Sequence, residues 1–375
     1  MNHRLFFVVN QDPWDGSAHG LYCLRHLRSL AEAAPKSWSV VLVCPVRPWP
    51  DDSGLSGKIE VIGLASLRRG ANPFGLHVNA VFHWAAWNFL RQNCRPGDVV
   101  ATASFPRLFS FLASRLLKRN ARPKLVYEVH QLECLSRPPG HQKCRMESDA
   151  LALADQLLAT TGPLEAILRK QFPTKPGART GLASEYSPVA IRRRRDTDPF
   201  RVGYFGSVSP EQGIPWLVEA WPLLRREFPS IELHIFGRAR RGEVSPASDP
   251  INGVSVLPPV PSQEVPARCR EIDALIIPAL DLGHRSAIAF TKAYDYAGLA
   301  LPIVACNLPT IREVLRPDRE ALLYEPGSIP ELKNCLHRLI SDNLLRHRLH
   351  DACIERAGEV SWSKRAAHWW KAVTP

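Results

Sequence analysis

Phe200-Arg201-Val202-Gly203-Tyr204-Phe205-Gly206-Ser207-Val208-Ser209-Pro210-Glu211-Gln212-Gly213-Ile214 is an apolar run that stops at a glycine and crosses a polar loop. An apolar helical pattern begins after a second glycine. Residues 201–205 read as a buried strand and residues 214–227 as the helix that follows. A strand ending at Gly206 and a helix opening after Gly213 present backbone N–H groups with no Cβ in the way, a geometry that lets a phosphate approach. The device recurs downstream: residues 232–236 end at Gly237, and residues 274–277 end at Pro278 on the same rim.

Outward from this stretch the alternation continues on both sides. Further strands are expected at 5–9, 40–44, 59–62, 99–103, 125–129 and 156–159 in the first half, and at 254–257 and 302–306 in the second. Helical spacing falls at 17–33, 76–90, 108–117, 147–154 and 163–171, then at 263–270, 287–297 and 311–315. Residues 329–370 read as mostly helical. Strand–helix alternation implies mainly parallel sheets covered on both faces, and two successive halves imply an α/β protein of two Rossmann-like domains facing a cleft. Residues 174–199 are rich in Pro, Gly, Ser and Arg and lack periodicity, which places the inter-domain linker there. The expected division is 1–185, a linker at 186–199, 200–357, and a terminal helix at 358–375.

With 375 residues, 45% hydrophobic and 22% charged, the chain suits two soluble globular domains. Apolar runs fall short of the roughly 20 residues that span a bilayer. Residues 1–10 enter the first strand without a signal-peptide h-region, so a cytoplasmic protein is expected, with the inner face of a membrane as a peripheral location. Nine scattered cysteines without CxxC spacing fit reduced thiols. The net charge of +12 gathers at Arg115, Lys118, Arg119, Arg122 and Lys124 and again at Arg192–Arg195. Each cluster reads either as a solvated face or linker, or as a contact for anionic lipid headgroups. Neither carries interleaved aromatics in sequence, so no nucleic-acid partner is expected.

Three other places carry chemistry. The loop 10–20 after the first strand contains Gly16 and Ser17, either an ordinary turn with Ser17 as N-cap or a backbone cradle at a helix start. His130 closes the strand 125–129, at the rim where parallel sheets bind ligands. His130, Cys134, His141 and Cys144 match no standard zinc spacing, and no metal site is expected. Lys292 and Asp295 share a helix face three residues apart. They form either a surface ion pair or a set in which the cation meets a diphosphate and the carboxylate accepts ribose hydroxyls.

The order of these pieces resembles the retaining GT-B glycosyltransferases of family 4 (glycosyltransferase group 1). In that family a strand ending "yevH", a "GxFG(S/R)xxxxKG" loop and a "K-x-x-E-Y-x-A-x-G-x-P-V" unit recur in this order. Tyr127-Glu128-Val129-His130, the Gly206 loop and Lys292–Val304 occupy those places. Ile311-Arg312-Glu313-Val314 and residues 321–327 also fit, and Ser361-Trp362-Ser363-Lys364-Arg365 looks like a last helix that crosses back to the first domain. The resemblance implies transfer of a sugar from a nucleotide-sugar donor to an acceptor, a glycan or lipid-linked glycan, with retention and without a metal or other cofactor.

By position, it implies that Gly16 and Ser17 face donor or acceptor and that His130 lies near the transferring sugar, orienting its hydroxyls. Gly206 and Ser207, with Gly237 and Pro278 on the same rim, approach the donor, and Asp295 stands where the family usually holds ribose with Glu. The family's loop Arg and Lys fall on Ser207 and Gln212, and the first Glu of its E-x7-E pattern falls on Ala287. Lys292, with Arg285 and the helix start near Ser286, is then the expected source of positive charge for the departing diphosphate. The alternative is a degenerate GT-B protein that binds a nucleotide sugar, or scaffolds, without transfer.

Overall fold

The computed structural model describes residues 3–14, 18–45, 59–64, 79–118, 122–138, 140–195, 197–239 and 246–374, apart from the side chains at 18, 19, 284 and 285. The chain divides into two units, one of residues 1–181 with 362–375 and the other of residues 182–361.

The first unit opens with β1 (His3–Val8), α1 (Ala18–Glu32), β2 (Trp38–Pro45) and β3 (Ile59–Leu64). It continues through α2 (Ala80–Asn93), β4 (Val99–Ala103), α3 (Pro106–Leu116) and β5 (Lys124–Val129). Then come α4 (Gln142–Leu153), β6 (Gln156–Ala159), α5 (Gly162–Gln171) and β7 (Gly177–Arg179). The seven strands lie in the order β3-β2-β1-β4-β5-β6-β7, all parallel. Central strands such as β4 are buried along their whole length, which is why they read as unbroken apolar runs instead of alternating ones.

The second unit contains β8 (Phe200–Phe205), α6 (Ile214–Glu227), β9 (Ile231–Phe236) and β10 (Val254–Leu257). After α7 (Val265–Cys269) come β11 (Ala274–Ile277), α8 (Thr291–Leu299) and β12 (Ile303–Cys306). The short α9 (Pro309–Arg312), β13 (Ala321–Tyr324), α10 (Ile329–Ser341) and α11 (Asn343–Glu359) finish it. Its sheet runs β10-β9-β8-β11-β12-β13, again parallel throughout. In each unit the strand order reverses beside the first strand, between β1 and β4 and between β8 and β11. Successive connections there leave to opposite faces, so the loops at the strands' carboxyl ends part and leave a crevice.

Two boundaries differ from the sequence reading. Residues 177–179 are not linker but β7, and residues 182–199 belong to the second unit. Irregular chain carries no periodicity to read, yet it is packed. Ala183 and Val189 are buried, Ser184 N–H donates to Val360 O (2.8 Å), and Val189 N–H donates to Leu299 O (2.9 Å). Arg192 reaches Asp273 at 3.0 Å, and Arg194 lies 5.7 Å over the Phe200 ring, so half of the arginine run is used inside this unit. The helix expected at 287–297 is in fact a 3-10 turn (His284–Ala287) followed by α8, because Phe290 takes an extended backbone and turns its ring into the core.

The last helix, α12 (Trp362–Val373), returns to the first unit. Its spacing puts Arg365, Ala366, Trp369, Trp370 and Val373 on one buried face. Arg365 is 2% exposed, and it meets Glu128, 1% exposed in the middle of β5. The Glu128 carboxylate also accepts from Tyr22 Oη–H (2.7 Å), His130 Nε2–H (2.8 Å) and Trp369 Nε1–H (3.1 Å). Arg365 donates in turn to His26 Nδ1 (2.6 Å), Tyr22 Oη (2.7 Å) and Gly181 O (3.0 Å). Burying two charges is offset only when their remaining lone pairs and protons are satisfied, as they are here.

Burial pushes the Glu128 carboxyl up, but Arg365, the His130 hydrogen bond and His26 together outweigh it and hold the group well below the usual carboxylate range. Burial, and then the Arg365 charge, hold His26 well below the usual imidazole value. Both shifts act in one direction. Below about pH 6.5 an unfolded histidine takes up a proton that buried His26 refuses, so stability falls at up to about 1.4 kcal/mol per pH unit. Glu128 adds a further loss below about pH 4.3, as the unfolded carboxylate protonates before the folded one. We predict that denaturant unfolding of the wild type weakens between pH 6.5 and 5.5 and that His26→Gln removes that increment. An identical pH dependence in both proteins would contradict the assignment.

Candidate functional site

The second unit's crevice is built from the loops after β8 and β11 and the start of α8. Gly206 follows β8 with φ +139°, and its N–H donates to Phe236 O at 3.0 Å. A Cβ at Gly206 would lie 2.7 Å from Lys292 Cε and 2.8 Å from its Nζ, so the lysine side chain lies across the bare backbone. Lys292 Nζ donates to Gln212 Oε1 (3.1 Å) and stands 5.1 Å over the ring of Tyr204. Tyr204 in turn donates its hydroxyl proton to Ser207 O at 2.7 Å, fixing the loop. Gln212 and Lys292, with Ile288, Ala289, Phe290 and Thr291, line a pocket of about 170 Å³. Positive charge is thus brought from α8 onto the Gly206 loop, next to backbone that any other residue type would cover.

The remaining residues singled out from sequence separate into those at the crevice and those that support it. Asp295 stands one turn beyond Lys292 on α8 and is half-buried. Ser207 is half-buried in the Gly206 loop. Gly237 serves packing, since a Cβ there would come 2.0 Å from Gly206 O, backbone against backbone. Pro278 is buried at the end of β11 with its carbonyl against Gly213. Ser286 donates its hydroxyl proton to Gly283 O (2.6 Å) within the 3-10 turn. The Arg285 side chain, Gly16 and Ser17 lie outside the described residues. A larger cavity of about 540 Å³ lies elsewhere on this unit, between 185–190 and 262–270, and contains no residue of the loops after β8 or β11.

In the first unit, His130 sits at the end of β5 with its side chain 19% exposed. A carboxylate only accepts, so Nε2 carries the proton it gives to Glu128 and Nδ1 faces away from that bond. Tyr22 packs edge-on against the same ring, 4.8 Å between centroids. Sequence reading named His130 and passed over Glu128, Tyr22, His26 and Arg365. The signal was present: strand alternation puts Glu128 and His130 on one face, and a charged residue inside an apolar strand needs a charged partner. His141 acts as the N-cap of α4, accepting from Lys143 N–H at 3.2 Å. Among the described residues, no group of three or more His, Cys, Asp or Glu is placed to hold a metal.

Residues 199–342, less than half of the chain, match the family model described as "Glycosyl transferases group 1". No curated protein matches the chain in sequence. Among solved structures, it is similar to sucrose-phosphate synthase from Thermosynechococcus elongatus at 15% identity and a TM-score of 0.69, over 99% of this chain and 98% of that one. It is similar to the apo form of the lipopolysaccharide outer core galactosyltransferase WaaB at 14% identity and a TM-score of 0.68, over 99% of each chain. A third likeness is to Anabaena HepE in complex with UDP, at 14% identity and a TM-score of 0.70 over 99% of each chain. At these identities the likeness gives the fold: two Rossmann-like units of the GT-B class, as the sequence motifs led us to expect.

The Gly206 geometry makes a prediction of its own. The lysine can swing away from a new Cβ, so the cost of Gly206→Ala is set by the backbone angle and amounts to about 1–3 kcal/mol. Urea unfolding should show that loss, and most of it should persist in a Lys292→Ala background, since the backbone angle and not the lysine sets it. A Gly206→Ala protein as stable as wild type would contradict the assigned conformation.

Proposed function

We propose that the chain is a glycosyltransferase that moves a hexosyl group from a nucleotide-sugar donor to a glycan or lipid-linked glycan acceptor, with retention and without a metal. The observation that carries this reading is Lys292 lying across Gly206 and bonded to Gln212. Gln212 occupies the place of the cation in the motif this loop resembles, so α8 delivers from another element the charge that the loop lacks. The diphosphate is received by the Gly206 backbone and by Lys292, and the ribose hydroxyls by Asp295. As the glycosidic bond to the donor phosphate breaks, negative charge grows on the diphosphate, and a preorganised cation there lowers the barrier. His130, held by Glu128, orients sugar hydroxyls through its outer ring nitrogen. Arg285 and Ser286 are further donor contacts in this reading.

Thermal unfolding in the presence of UDP, GDP, ADP and their sugar conjugates tests the proposal and identifies the base. A shift is expected with one nucleotide family, and Asp295→Ala should abolish it. Lys292→Ala should weaken binding about tenfold to a hundredfold, the range for a hydrogen bond to a charged group. The double variant Lys292→Ala/Gln212→Lys returns the cation to the loop and should recover most of the loss. No shift with any nucleotide would favour the scaffold reading instead.

A further inference from the structure

The basic cluster at the end of α3 is not used by the donor site, and the structure gives it neighbours that the sequence order hides. Trp84 on α2 is 52% exposed. It packs edge-to-face against Trp87 (5.1 Å between centroids, 84°) and against Phe111 of α3 (5.6 Å, 73°). The Arg115 guanidinium lies 3.7 Å from the Phe111 centroid and 5.2 Å from that of Trp84, and Arg91 lies 5.3 Å over Trp87. Arg91, Trp87, Trp84, Arg115 and Phe111 therefore form one continuous strip across two helices. The opposite faces of those helices, through Phe82, Ala86 and Leu90 and through Leu108, Leu112 and Leu116, are buried in the first unit.

We propose that this face docks on an anionic lipid bilayer. The charge points one way: neither α2 nor α3 contains an acidic residue, and Arg107 and Lys118 add exposed positive charge at the two ends of α3. Both guanidinium groups in the strip bond to neutral oxygens, Arg91 to Asn88 Oδ1 (2.9 Å) and Arg115 to Phe111 O (3.1 Å) and Ser114 Oγ (3.4 Å). Their charge is retained for an outside partner. Indole rings belong at the headgroup level, and each basic residue beside them strengthens the attraction to anionic lipid. Arginine stems that lie along aromatic rings keep their heads in the polar layer. One face of each ring lies under a guanidinium, Arg115 over Phe111 and Trp84 and Arg91 over Trp87, which leaves less ring face for the stacking that nucleic acid or a neutral glycan would use. No helix of the described residues is long and apolar enough to cross a membrane, so the contact is one of lying on the surface.

The test is sedimentation of the full chain with phosphatidylcholine vesicles, with and without phosphatidylglycerol, at low salt. Wild type should pellet with the anionic vesicles and stay in solution with the neutral ones. Trp84→Ser/Trp87→Ser and Arg91→Gln/Arg115→Gln should each weaken binding about tenfold or more. The charge-matched control Arg193→Gln/Arg195→Gln should bind as wild type does. If the tryptophan pair fails to fold by circular dichroism, the arginine pair and its control carry the test alone. The proposal is overturned if wild type does not pellet, or if the control loses as much as the arginine pair. It is overturned equally if a single-stranded oligonucleotide or heparin binds as tightly through the same residues.

Discussion

A carboxylate in the middle of a buried strand is the constraint on which the first unit depends. Glu128 is fully surrounded, and an unpaired charge there would be destabilising by several kcal/mol. Its partner, Arg365, comes from the far end of the sequence, so satisfying Glu128 requires the chain to return after completing the second unit. The other acceptor positions of the carboxylate are taken by Tyr22, His130 and Trp369, which ties α1, the rim of β5 and α12 to one group. The same pair therefore anchors the last helix and sets the ring of the histidine at the end of β5. Apolar packing of Trp369 and Trp370 supplies the burial, and the ion pair supplies the register.

The second unit works by a different economy of parts. The loops after β8 and β11 hang from a parallel sheet at the point where the strand order reverses, and the backbone at Gly206 is left bare by glycine. What the Gly206 loop lacks in its own side chains, α8 provides. Lys292 reaches from the start of α8 to the Gly206 loop, bonds to Gln212 and leaves its ammonium beside a backbone with no Cβ. Asp295 follows on the same helix face. On the proposed reading, this arrangement offsets the loss of cations from one loop, because the field at a phosphate depends on where the charge sits and not on which element carries it.

The fold was legible because fully buried parallel strands are short continuous apolar runs, and helices between them keep a 3.6-residue period. Residues 182–199 were not, since irregular chain gives no period even when Val189 and Arg192 hold it firmly. The start of α8 was misplaced because Phe290 continues an apolar spacing while its backbone is extended. At the site, Gly206, Lys292 and Asp295 stood out by spacing, but the contact between Lys292 and Gln212, 80 residues apart, is a product of the fold. Glu128 and Arg365 were readable and unread: each is a charged residue in an otherwise apolar pattern, and the two oddities answer each other. Phe111 meets Arg115 from its own helix, but Trp84 comes from α2, which a reading confined to neighbouring residues does not reach.

The central claim is that Lys292 reads the phosphates of a bound nucleotide. Calorimetric titration of wild type and Lys292→Met with a nucleoside diphosphate and with its unphosphorylated nucleoside tests it most directly. The account predicts that wild type prefers the diphosphate strongly, that Lys292→Met loses most of that preference, and that nucleoside affinity is the same in both proteins. A preference for the diphosphate unchanged by Lys292→Met would contradict it.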